Sequence, residues 1–186
     1  MGRISAVLFA LATGCAGTSE RPPDYARPYN VLLTEYAVPV VLAAASPGSV
    51  GGWDEGISLK RWVKGVTRRP VAHDVDNDFV NYVLHPVSGS ETHMMARNHG
   101  WSLGEAALFD AFGSLMWEYV FENVYEPPSR TDLLVTAPIG ALLGELRWQA
   151  KRAGAPTWLV DPLGDHGEPF LELSPDGLLF GLERKF

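Results

Sequence analysis

The chain has little with which to staple itself or to grip a polyanion. Its one cysteine, Cys15, allows no disulfide within the chain, so packing and hydrogen bonding must hold the fold. Lys and Arg number 15 against 22 Asp and Glu, for a formal net charge of -7. The basic residues form no cluster beyond the isolated pair Arg68-Arg69, which argues against a nucleic-acid partner. Two catalytic signatures are missing as well. No Gly-x-Ser-x-Gly elbow accompanies Ser88 or Ser90; a metal version would use His85 with Glu118 and Glu122 but lacks the His-Glu-x-x-His spacing of a helical metal site, so neither a metal nor a cofactor is expected. Hydrophobic content of 46% and charged content of 20% are those of a globular domain and exclude wholesale disorder.

What is present begins with an address. Met1-Gly-Arg3 is a short positive start and Ile4 to Leu11 a short apolar stretch. Leu11-Ala-Thr-Gly-Cys15 then resembles a bacterial lipobox, with small residues ahead of the cysteine. An apolar segment of this length is a signal-peptide core and not a membrane span. The expectation is a lipoprotein signal over residues 1–15, with membrane lipid joined through Cys15. Ala16, in a place where Asp would favour inner-membrane retention, points to the periplasmic face of the outer membrane. A plain secretory signal cut near a cysteine is the blander reading.

Residues 16–30 carry three prolines with Gly, Ser, Thr and charges, and read as a tether. Val31 to Ala45 is apolar apart from Thr34 and Glu35, with Pro39 inside it; it predicts a buried or interfacial helix, too short to cross a bilayer comfortably. Ser46-Pro-Gly-Ser-Val-Gly-Gly52 breaks the chain, and one short helix is expected near Trp53 and Trp62. Asp76 is a candidate N-cap for a helix over Asn77–His85. Pro86 and Ser88-Gly-Ser90 should interrupt it before a second segment, Glu91–Asn98, stops at Gly100. Ser102-Leu-Gly-Glu105 is a capping-box pattern opening a long helix to about Tyr125, ended by Pro127-Pro128. Ser129-Arg-Thr-Asp132 reads as a second capping box opening a short helix, and Pro138 suits the first turn of another, Ile139 to about Ala153. In the tail, Thr157–Val160 and Phe170–Leu173 read as strands, Ser174-Pro-Asp-Gly177 as a turn and Leu178–Phe186 as a returning strand. The expected fold is mainly α: a compact bundle of apolar helices over 31–156 with a C-terminal β-hairpin tail over 157–186.

Set into this oily sequence is a run of polar residues between Asp76 and Glu145. On the long helix Asp110, Ser114, Glu118 and Glu122 recur at steps of four, which places them on one face. An amphipathic helix showing that ridge to water is the bland account. Two observations favour an inward ridge: its charges are all acidic and need a cation, and its flanks, such as Phe109, Phe112, Leu115 and Trp117, are too oily for a free surface. Arg97 and His85 are the natural balancing groups, with Asn81 one turn from His85. Arg147 reads as solvated. Gly140 and Gly144 would let another helix approach closely.

Read together, Asn81-Tyr-Val-Leu-His85-Pro86, Gly89, Ala96-Arg97, Gly100, Ser114-Leu-Met-Trp117-Glu118-Tyr119, Glu122, Pro128-Ser129, Asp132 and Gly144-Glu145 resemble a bacterial envelope family. That family is catalogued as a domain of unknown function, number thirty-nine forty-three. The resemblance covers about residues 75–146, and His93 departs from it, standing where an aromatic residue is expected. It implies no particular reaction. The leading expectation is therefore an outer-membrane-associated lipoprotein, structural or in envelope maintenance. Its packing would be fixed by a buried polar network of Asp76, Asn81, His85, Arg97, Ser114, Glu118, Glu122, Ser129, Asp132 and Glu145. The alternative is a membrane-interface hydrolase, or an enzyme that modifies lipid or lipopolysaccharide. There His85 is the general base, Glu118 or Glu122 orients it, and Arg97 binds an anion. Phe186, behind alternating apolar residues, resembles the last strand of an outer-membrane barrel; the hairpin would then pair with an outer-membrane protein or with itself.

Overall fold

The computed structural model describes residues 22–46, 58–72, 78–174 and 177–183; Cys15, Asp76 and Phe186, and the expectations placed on them, lie outside. Helix α1 (Ala26–Ala45) begins inside the stretch read as tether, because Asp24 Oδ1 accepts the N–H groups of Ala26 and Arg27, each at 3.1 Å. At 20 residues α1 is, by length and composition alone, long enough to cross a membrane, which corrects the shorter helix expected. It is partly built into the fold, with Val31, Leu32, Thr34 and Ala43 buried. Helix α2 (Leu59–Val66) is the one short helix expected near Trp62, capped by Ser58.

The break foreseen at Pro86–Ser90 does not occur. A π turn over Val80–Leu84 runs straight into α3 (His85–Asn98). His85 N–H donates to Val80 O, five residues back; Pro86 follows directly, and its missing N–H costs this continuous helix one backbone bond. Gly100, at φ 86°, ends the helix as foreseen. Helix α4 (Leu103–Met116) opens on a complete capping box, with Glu105 N–H on Ser102 Oγ (3.3 Å) and Ser102 N–H on Glu105 Oε2 (2.8 Å). It continues through a π turn (Trp117–Phe121) and a 3-10 turn (Glu122–Val124).

The two helices expected after Ser129 are one, α5 (Arg130–Arg152), with Pro138 inside it on the exposed side. A single proline removes one backbone bond, too little to break 23 residues held on their inner face. Thr157–Val160 is a helical turn (α6) and not a strand. Pro156 stands at its N-cap, and Asp161 N–H closes it on Thr157 O at 2.7 Å. A further short helix, α7 (Pro162–His166), precedes the hairpin. Strands β1 (Glu168–Ser174) and β2 (Gly177–Glu183) form it antiparallel, with Leu171 opposite Phe180.

Helices α3, α4 and α5 pack against one another, α3 and α5 most closely. Gly89, Gly140 and Gly144 make that approach possible. A Cβ on Gly140 would sit 2.9 Å from the Gly89 backbone, and one on Gly144 would sit 2.6 Å from His93 Cβ. The apolar core is small: Val31, Leu32, Met95, Ala96, Trp101, Ala106 and Phe109, with Tyr36 against it. Much of the remaining interior is polar.

Candidate functional site

All four members of the ridge face inward. Asp110, Ser114, Glu118 and Glu122 are buried, between 1% and 6% exposed. The π turn explains how they stay aligned. In a plain α-helix, positions four apart drift slowly around the axis, whereas a turn bonded i to i+5 holds more residues and counters that drift. The cost of burial shows in their protonation. Burial raises Asp110 to about 8. It raises Glu118 to about 8 as well, aided by the nearby Asp132 carboxylate and opposed by the Ser129 N–H. Glu122 is pushed well above the usual carboxylate range, first by burial and then by Glu118 and Glu126.

The N-terminus of α5 organises this cluster. Ser129 Oγ accepts Asp132 N–H at 3.4 Å, half of the capping box expected. The return bond, from the third-position carboxylate to Ser129 N–H, is not made by Asp132. Glu118 Oε2 takes that N–H, at 2.6 Å. Released from capping, the Asp132 carboxylate faces His85, with Oδ1 3.6 Å from Nδ1. One donor atom from each of His85, Glu118 and Asp132 lies within 4.8 Å of the others.

Beside this cluster is a cavity of about 380 Å³, whose wall includes Tyr36, His85, Asp110, Ser114, Glu118 and Thr136. Buried polar atoms facing this region lack hydrogen-bond partners: Asp110 Oδ2, Glu118 Oε1 and Thr136 Oγ1. A concave, partly apolar space with convergent ionisable groups is the usual form of a ligand site.

The other candidates gather elsewhere. Arg97 does not balance the ridge. Its Nε pairs with Glu145 Oε2 at 3.0 Å, its Nη1 donates to Trp101 O, and its guanidinium lies 3.6 Å over the Trp148 ring. His93 joins the same knot, with Nε2 at 3.2 Å from Glu145 Oε2. Burial works against the Glu145 charge, but the bonds from His93 and Gln149 and the Arg97 charge outweigh it, and its pKa is lowered. This second network is sealed, so Arg97 and Glu145 share no wall with His85. Nor does Glu122 line the cavity. Arg147, read as solvated, instead donates to Ser90 Oγ, Glu91 Oε1 and Val160 O. Asn81 is buried on the inner side of the π turn.

Sequence reasoning missed Tyr36 and Thr136 on the cavity wall. It placed Asp132 in the buried network but also in a capping box, and the competing cap from Glu118 is a tertiary contact.

Fold and site together define a mainly helical domain built around buried carboxylates, with one flank of that network open to a cavity. Residues 70–155 match the family model described as a domain of unknown function, DUF3943. That stretch contains the whole region expected to resemble the family. No curated protein and no solved structure matches the chain.

Proposed function

We propose that this chain is a bacterial envelope lipoprotein, held by lipid on Cys15, whose helical domain rests against the outer membrane while its buried polar network fixes how the helices pack. The observation that supports this most is a reversed distribution of polarity. Between Asp132 and Arg147, the exposed side chains of α5 are Leu134, Pro138, Ile139, Leu142 and Leu146, while Asp132, Thr136 and Glu145 are buried. Helix α4 repeats the pattern, with Leu108 73% exposed and Asp110 1%. Faces of this kind are costly in water, at about 25 cal/mol per Å² of apolar surface, and mark surfaces meant for lipid or another apolar partner. Helices tolerate lipid because they satisfy their own backbone groups.

The experiment is direct. A palmitate analogue fed to cells should label the wild-type chain and not Cys15→Ala. The unlipidated chain should float with vesicles of outer-membrane phospholipid. Leu142→Glu with Leu146→Glu should cut that flotation several-fold while the far-UV spectrum is unchanged. An unlabelled chain that stays with the soluble fraction would sink the proposal.

The cavity favours a second reading. His85 beside Asp132, with Glu118 on the same wall, is suited to general acid–base chemistry on lipid or lipopolysaccharide. Arg97 and Glu122 have no part in this version. Normal folding with altered envelope lipids in His85→Ala would support it.

A further inference from the structure

We propose that His85, Glu118 and Asp132 bind a first-row divalent cation, best matched by Zn²⁺, with a coordination position left open toward the cavity. The three residues come from the start of α3, the π turn after α4 and the first turn of α5, so the site exists only where these elements meet. Their donor atoms already lie within 4.8 Å of one another. The 3.6 Å between His85 Nδ1 and Asp132 Oδ1 is long for a hydrogen bond. It is close to the roughly 3.4 Å that separates two tetrahedral ligands each about 2.1 Å from a zinc ion.

An independent observation points the same way. Glu118 is 99% buried: its Oε2 is held by Ser129 N–H, which fixes the carboxylate, and its other side-chain hydrogen bond runs to a second acid, Glu122, so no basic side chain answers Oε1. Among the described residues no lysine or arginine lines the cavity, although Glu35, Asp110 and Glu118 do; Glu91, on the same wall, pairs with Arg147. One imidazole with two carboxylates is a mixed nitrogen and oxygen set, which suits zinc better than calcium or magnesium. Three protein ligands beside a cavity leave a fourth position for water or an anionic oxygen, as open zinc sites do. The site stands whether or not the domain meets lipid.

The test uses the mature full-length chain in detergent, stripped with a chelator and titrated with ZnCl₂. Calorimetry should report one Zn²⁺ per chain, and Zn²⁺ should raise the melting temperature. His85→Gln and Asp132→Asn should each weaken binding at least tenfold and abolish that rise, while the exposed Asp78→Asn leaves both unchanged. If Asp132→Asn does not fold, the partly exposed His85→Gln decides alone. A wild-type chain that shows neither heat nor a melting shift would overturn the proposal. So would undiminished binding in folded His85→Gln.

Discussion

Gly144 offers a test in which two local effects oppose each other and the structure says which wins. In the middle of a helix, Gly→Ala normally stabilises by about 0.5–1 kcal/mol, because glycine loses more backbone freedom on folding. At Gly144 the added Cβ would stand 2.6 Å from His93 Cβ and 2.9 Å from Ser90 O. Both obstacles belong to α3 and are close to its backbone, so neither can swing aside, and α3 and α5 must part. Overpacking of this kind costs about 1–3 kcal/mol. The upper end is appropriate here, because separation also strains the buried His93–Glu145–Arg97 knot. Subtracting the propensity gain leaves Gly144→Ala destabilised by about 2 kcal/mol, or roughly 4–8 °C in melting temperature for a chain of this size. Gly104 on α4 supplies the control, since a Cβ there meets nothing within 4 Å. Gly104→Ala should hold or raise the melting temperature. Thermal melts of the two variants by far-UV dichroism decide the matter. If Gly144→Ala melts at or above the wild type, the close contact of α3 and α5 is not what holds these helices together.

Two further outcomes follow from the buried charges. The unfolded chain releases the Asp110 proton near the ordinary value of 3.8, whereas burial holds it in the folded chain to about 8. The folded state thus binds more protons between those values, and stability falls as pH rises through the window, by up to ~1.4 kcal/mol per pH unit from this group. Asp110→Asn should match the wild type at pH 4 and melt higher at pH 8.5; parallel pH profiles for the two proteins would contradict the assignment. Arg97→Met removes the cation from a Glu145 that is 4% exposed and should cost about 3–5 kcal/mol in urea unfolding. A loss below about 1 kcal/mol would mean that His93 alone balances that carboxylate.

Local signals in the sequence were trustworthy where the physics is local. The Ser102–Glu105 capping box closes within four residues, so its pattern could be read directly. The glycine at position 100 and the hairpin strands likewise depend on neighbours in the chain. Proline was over-read. Pro86 reads as a break and Pro138 as the first turn of a new helix, but each forfeits a single backbone bond, and tertiary packing of the same helix outweighs that loss. Thr157–Val160 failed for a related reason: its β-favouring residues are overruled by Pro156 and by the Asp161 N–H that closes the turn.

The inward ridge was legible because like charges at helical spacing in oily surroundings leave few alternatives. Its partners were not. Arg97 and His85 look interchangeable as cations in sequence, yet they stand on opposite sides of the division between the sealed knot and the open cavity. By itself the sequence determined that the chain is mainly helical, that Asp110, Ser114, Glu118 and Glu122 share a face, and that Gly140 and Gly144 permit a close neighbour. Only the tertiary structure decided that Glu118 caps Ser129, that Asp132 is thereby turned to His85, and that Arg97 goes to Glu145. Side-chain identity sets what a residue can bond, but the partner it finds depends on which helices the glycines at 89, 140 and 144 allow to touch.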